Sequence, residues 1–154
     1  MAEIEILPEP YGSPISRPLT EAQGEELADR YGGWEGADGE PEPKQFEQPD
    51  GFFLVAWQGD RAVGCGGVLR FDDLTAELRR MFVAPDARRR GIGQILVARL
   101  EAAARELGYE RIRLETGVRQ PDAQRLYERA GYEPIPNYGV FVGERRSICM
   151  EKRI

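Results

Sequence analysis

Residues 81–100 read MFVAPDARRRGIGQILVARL, and the chemistry they suggest is the holding of an anion. Arg88, Arg89 and Arg90 bring positive charge, and Gly91 and Gly93 carry no side chain to keep an anion from the backbone. The helix that follows opens with N–H groups lacking an intrahelical acceptor, so a loop of this kind attracts phosphate through the partial positive charge of the helix end. A solvated arginine run beside an ordinary glycine turn would look the same in isolation. Two other phosphate motifs are excluded: the third glycine of the dinucleotide fingerprint falls on Leu96, and no G-x-x-x-x-G-K-[ST] loop occurs in the chain.

Nucleophilic and metal chemistry have less to stand on. Cys65 and Cys149 both lie in apolar, strand-like stretches, and the chain has no histidine. Two such cysteines make neither a zinc site nor a Cys–His pair, and they read as small buried residues with inert thiols. No metal is implied.

The Arg/Gly stretch resembles motif A of the GNAT superfamily of acyl-CoA-dependent N-acetyltransferases, [R/Q]-x-x-G-x-[G/A] after a strand ending in Val-x-Pro. Here Arg88-x-x-Gly91-x-Gly93 follows Val83-Ala84-Pro85. LYERAGY at 126–132 resembles motif B, in which Leu-Tyr is followed by a Gly-aromatic pair. The resemblance runs from about Phe52 to Lys152, with the first fifty residues matching loosely.

The resemblance implies an α/β GNAT fold, a mixed sheet of six to seven strands with helices on both faces. It implies acetyl-CoA as co-substrate and a primary amine, small molecule or peptide, as acceptor. Arg88, Arg89, Arg90, Gly91, Ile92, Gly93 and Gln94 would cradle the pyrophosphate. The backbone of Met81, Phe82 and Val83 would pair with the pantetheine arm as an added strand, and an N–H near Met81 would stabilise the oxyanion. Gln120 stands where many members have Asn. The family's tyrosine falls on Tyr127, placed to protonate the departing thiolate; without the resemblance it reads as a core aromatic. Glu77, six residues before Val83, matches in register the catalytic glutamate of the histone-acetylating branch. A lysine-like amine has a pKa near 10.4 and needs such a base, although Glu77 also reads as a surface carboxylate paired with Arg79. A non-catalytic acyl-CoA-binding regulatory or interaction module on the same fold is the alternative.

The elements that must position these residues are legible from pattern. At 154 residues and 41% hydrophobic content the chain is expected to be one domain, 1–154. Glu3–Leu7 alternates as a short strand, and Thr20–Tyr31 reads as a helix ended by Gly32-Gly33. Residues 34–51 are rich in Pro, Gly and acids and read as a long mobile loop, either a solvated linker or an acidic flap for a cationic acceptor. Strands are expected at Phe52–Trp57 and Arg61–Leu69 around a tight turn, with Cys65-Gly66-Gly67 marking a bulge or close backbone approach. Leu74–Val83 leads into the anion turn. The next helix aligns Ile92, Leu96, Leu100, Ala103, Ala104 and Leu107 and closes at Gly108. A strand at Arg111–Glu115, a helix from Pro121 to Gly131, and two strands around 136–139 complete the chain. The strand, helix, strand unit is expected to be a right-handed crossover.

Charge bounds the partners. The formal net charge is −6, which disfavours nucleic acid despite the local arginines. Residues 35–50 carry six acids (Glu35, Asp38, Glu40, Glu42, Glu47, Asp50) against Lys44, whereas residues 79–90 carry five arginines against Asp86. No apolar run approaches the roughly eighteen residues of a membrane span, and the N-terminus lacks a signal-peptide pattern, so a cytoplasmic protein is expected. A homodimer is left open.

Overall fold

The computed structural model describes residues 3–34 and 36–154. Its centre is a seven-stranded sheet in the order β1-β2-β3-β4-β5-β7-β6. The strands are β1 (Ile4–Pro8), β2 (Phe52–Gln58), β3 (Arg61–Arg70), β4 (Thr75–Val83), β5 (Arg111–Gly117), β6 (Glu133–Ile135) and β7 (Ser147–Arg153). Every neighbouring pair is antiparallel except β4 and β5, which run parallel. Parallel neighbours need a crossover, and α2 (Ile92–Glu106) supplies it.

Alternation on the strands divides the core in two. Leu54 and Ala56 on β2, Leu78 on β4, and Ile112 and Leu114 on β5 share a face with Ile92, Leu96, Leu100 and Ala104 of α2. Ala123, Leu126 and Tyr127 of α3 (Pro121–Arg129) join that cluster. Phe53, Val55, Cys65 and Phe82 point the other way and meet Leu19 of α1 (Ser16–Arg30), Tyr11 and Phe46.

The expected elements are present with three differences. First, α1 begins at Ser16, four residues earlier than the pattern implies, because Pro18 sits in the first turn, where no intrahelical N–H bond is lost. Ser13 Oγ accepts from the Ser16 amide at 3.1 Å, and Ser16 Oγ donates to the Pro10 carbonyl at 2.9 Å. Second, residues 36–51 are pinned. A 3₁₀ turn over Pro43–Phe46 buries Phe46, Tyr11 donates to Glu40 at 3.0 Å, and Tyr109 donates to the Asp50 carbonyl at 2.6 Å. Glu35, also counted in that acidic stretch, lies outside the described residues. Third, the bulge suggested by Gly66-Gly67 lies across the ladder. Cys65 pairs with Phe82 but Gly67 with Arg79, so β4 holds the extra residue.

That extra residue decides where side chains go. Before it, Ala76 and Leu78 face α2; after it, Met81 and Val83 do, and Phe82 turns to the α1 side. Arg80 adopts φ 61° at this point, a left-handed conformation uncommon for a non-glycine residue. Gly66 leaves the room for it, since a Cβ there would lie 2.5 Å from Met81 Sδ. β4 and β5 pair only from Thr75 to Glu77 and from Arg111 to Arg113, yet both strands continue. Beyond those rungs the sheet opens.

Candidate active site

The opening between β4 and β5 is occupied by two cavities that meet. One is a cleft of about 850 Å³ between the β4 end, the turn into α2, and the faces of α1 and α3. The other, about 150 Å³, lies between α1, the loop after it, β4, β5 and the segment before β7. Met81, Gln120 and Tyr127 line both.

The cleft gathers most of the predicted coenzyme residues: Met81, Phe82, Val83, Arg88, Arg89, Gly91, Ile92, Gly93, Gln94 and Gln120. Arg90 is not among its lining residues. Gly91 is the N-cap of α2 at φ 82°, no side chain caps the helix, and Ile95 donates back to the Gly91 carbonyl at 3.1 Å. The amides of Ile92, Gly93 and Gln94, ahead of that bond, therefore have no intrahelical acceptor, and an anion fits them. The two glycines serve different ends. At Gly91 a Cβ would stand in open space but in a strained conformation, whereas a Cβ at Gly93 would press on Leu126 at 3.2 Å, so Gly93 lets α3 approach α2.

Arg88 lines the cleft with its side chain already engaged. Its Nη2 donates to both oxygens of Glu26 on α1, at 2.9 and 2.8 Å, and its Nε donates to the Val83 carbonyl at 2.8 Å. It ties α1 to the anion turn, while Arg89 at φ 65° is exposed beside the cleft. Gln23 of α1 similarly donates to the Met81 carbonyl at 2.9 Å. Each carbonyl retains a second lone pair for a strand-like ligand. Arg30, Arg125 and Arg129 add positive charge around the cleft that motif reading did not identify.

The smaller cavity carries the carboxylates. Glu77 is 8% exposed, and both of its oxygens are engaged: Tyr138 donates to one at 2.7 Å and Arg79 to the other at 3.3 Å. Arg79 also pairs with Asp38 at 2.7 Å, so the one described acid of the 35–50 stretch at this cavity is already matched by a cation. Glu115 of β5 differs. Burial pushes its carboxyl up to about 7, against a 2.6 Å hydrogen bond from Ser147 Oγ that favours the charged form; Asp38 and Glu77 add to the rise and Arg79 opposes it. Sequence reading gave Glu115 only as the end of a strand at Arg111–Glu115; the structure shows that Glu115 lines a cavity.

Tyr127 is buried at the meeting of the two cavities. Burial, and secondarily the charge of Glu115, push its phenol well above the usual value, so the proton stays on the oxygen. Among the described residues none hydrogen-bonds its hydroxyl. Tyr31 closes the far wall, accepting from the Arg119 amide at 3.1 Å, and a Cβ on Gly117 would overlap its hydroxyl.

Residues 19–132 match a family model described as Acetyltransferase (GNAT) family. An IAA acetyltransferase of Azospirillum brasilense is 38% identical over 106 residues, covering 68% of this chain and 69% of its own length. Among solved structures, an acyl-CoA N-acyltransferase of Klebsiella pneumoniae superposes with a TM-score of 0.83 at 25% identity, covering 99% of both chains. A GNAT family acetyltransferase of Elizabethkingia anophelis, solved with acetyl-CoA bound, shares the fold with a TM-score of 0.67 at 20% identity over 98% of each chain.

Proposed function

The chain belongs to the GNAT family of acetyltransferases, and from that premise we propose that it moves an acetyl group from acetyl-CoA to a primary amine by direct attack in a ternary complex. The observation that carries the proposal is the junction of the two cavities at Met81 and Tyr127. A long cleft ending in an anion-binding helix N-terminus suits the coenzyme. A small chamber with carboxylates suits the amine, and the tyrosine stands between them.

An amine near pKa 10.4 arrives protonated, so a base must act first. Of the two carboxylates, Glu115 has the environment of a base that is half-ionised near neutral pH, whereas Glu77 is held by Tyr138 and Arg79. This reading moves the base from Glu77, the sequence candidate, to Glu115, and leaves Glu77 to position Arg79 and Tyr138. Glu115 takes a proton from the ammonium group, directly or through water; the freed nitrogen lone pair attacks the thioester carbon to form the new N–C bond, the nitrogen gives up its second proton to solvent, and the C–S bond breaks. Tyr127 gives its proton to the departing sulfur, and the solvent exchanges protons with both residues before the next turnover. Amides at the start of α2 hold the pyrophosphate, and no covalent enzyme intermediate is needed.

The test pairs calorimetric titration with acetyl-CoA against thiol release over a panel of amines. Binding accompanied by amine-dependent thiol release is expected. Binding with no release on any amine would favour a non-catalytic acyl-CoA-binding module instead.

A further inference from the structure

We infer that the acceptor is a small diamine: one nitrogen loses its proton to Glu115 and takes the acetyl group, while the other stays an ammonium ion held by Asp38 and Glu77, two carboxylates that share one arginine. The inference rests on the transferase reading and names the substrate class of its smaller cavity.

The charged residues lining this cavity are Asp38, Glu77, Glu115, Arg79, Arg80 and Arg146. Three acids and three arginines do not cancel there. Arg146 pairs at 2.8 Å with Glu144, a carboxylate that is not on the wall, and lies 3.8 Å over the Trp34 ring. The Arg80 guanidinium lies against the Tyr11 hydroxyl and the Glu40 carboxylate bonded there. Arg79 is left, and it is divided between Asp38 at 2.7 Å and Glu77 at 3.3 Å. Two carboxylates on one guanidinium leave a negative charge over. Glu115, in no ion pair among the described residues, adds a second when ionised, and it is near enough to feel the charges of both Asp38 and Glu77. Two acidic positions in one small space complement two ammonium groups on one short chain, whereas a carboxylate brought by the ligand would be repelled.

Unpartnered polar atoms on the same wall call for N–H donors. Buried polar groups are nearly always hydrogen-bonded, so exceptions gathered at one cavity mark a ligand. Gln23 Nε2 donates to the Met81 carbonyl at 2.9 Å, which leaves its Oε1 as a buried acceptor without a partner among the described residues. Thr116 is 4% exposed, and its Oγ1 is also unpartnered. Both residues line the cavity. An alkylammonium group brings three N–H donors, more than one carboxylate takes up, and the remainder suit such oxygens. Arg80 Nε, the third unpartnered atom on the wall, is a donor and belongs to the guanidinium set against Tyr11.

Size and lining fit a short chain. The cavity is about 150 Å³, below the ~300 Å³ at which pockets for drug-sized ligands begin, and Leu27, Tyr31 and Phe141 offer apolar surface to the methylenes between the two nitrogens. Acetylation turns one ammonium group into a neutral amide. The product then carries a single positive charge and matches the wall less well, so one acetyl group per diamine is expected.

The test measures acetyl transfer by the intact protein to putrescine and cadaverine, beside pentylamine and hexylamine, in which a methyl replaces the second ammonium group. The panel also includes δ-aminovalerate, in which a carboxylate replaces one ammonium group of putrescine. We expect kcat/KM for the better diamine to exceed that of its monoamine and of δ-aminovalerate by at least roughly tenfold, the scale of one charge-assisted contact, with a singly acetylated product by mass spectrometry. Asp38→Asn leaves Arg79 to Glu77 alone and removes the surplus charge; the ratio of diamine to monoamine should fall toward one, chiefly through a higher KM for the diamine. A merely structural effect of that substitution would lower both amines together and keep the ratio. The inference is overturned if the wild-type protein uses the monoamines or δ-aminovalerate as well as the diamines. It is equally overturned if a folded Asp38→Asn that binds acetyl-CoA normally keeps the wild-type ratio. Failure of the transferase reading looks different: acetyl-CoA binds, and no thiol is released with any of these amines. If Asp38→Asn does not fold, the wild-type comparison decides alone.

Discussion

Glu115 sets the pH at which the proposed chemistry becomes competent. With its carboxyl raised to about 7 by burial, kcat/KM should climb with pH along a one-proton limb centred there. Glu115→Gln should remove that limb and leave only the rise toward pH 10 from the amine itself. Glu77→Gln should lower the rate while the limb remains, because Glu77 holds Tyr138 and Arg79 rather than the proton; loss of the limb in Glu77→Gln alone would return the base to Glu77. Stability offers an independent check. At Glu115 the folded state holds a proton that the unfolded chain has released between pH 4.5 and about 7, so this group's contribution to stability falls as pH rises through that window. Glu115→Gln should therefore be more stable than wild type at pH 8, by about 1–3 kcal/mol, with the gap closing below the unfolded carboxyl's range. Tyr127→Phe preserves the buried ring and should leave acetyl-CoA affinity intact while slowing transfer. The loss should fall at or below the usual ~10²–10⁴-fold for a proton donor, because a thiolate of pKa near 8.5 can leave without one. An unchanged turnover with chemistry rate-limiting would make Tyr127 a core residue.

At the scale of elements, the turn from β4 into α2 and the end of β5 shape the opening. Gly91→Val should weaken acetyl-CoA binding at least tenfold, about 1.4 kcal/mol, by forcing a β-branched residue to φ 82° and crowding the free amides. Gly117→Ala should dislodge Tyr31, whose hydroxyl occupies the place of the new methyl, and with it the contact to the Arg119 amide; melting temperature and acceptor KM should both move. Much of this scaffold was legible beforehand. The periods of α2 and α3, their glycine stops at 108 and 131, and the β2–β3 hairpin all follow from local sequence. The β4 bulge did not. Gly66-Gly67 signalled a close approach, but the residue that bends is Arg80 on the partner strand, and nothing local to an arginine marks a left-handed conformation. Nor did composition show that Phe46 anchors the acidic stretch or that Arg88 is bound to Glu26, 62 positions away. Those depend on pairing across the fold.

For the molecule as a whole, the sheet does one thing that bears on function: it parts between β4 and β5 after Glu77 and Arg113, and the two cavities fill the gap. Helix α1 spans both, lining the larger cleft with Glu26, which holds Arg88, and both cavities with Gln23 and Leu27. The charge asymmetry seen in the sequence survives in altered form, since Asp38 of the acidic stretch is paired with Arg79, and Arg88 of the arginine run with Glu26. Two cavities meeting at one tyrosine make direct transfer the central claim. The measurement that tests it most directly is initial-velocity kinetics of thiol release with acetyl-CoA and the best amine varied together, alongside mass spectrometry of the protein. Direct transfer predicts intersecting double-reciprocal lines, thiol and N-acetylated amine in equal amounts, and no acetylated protein; parallel lines with an acetylated intermediate, or acetyl-CoA bound without amine-dependent thiol release, would contradict it.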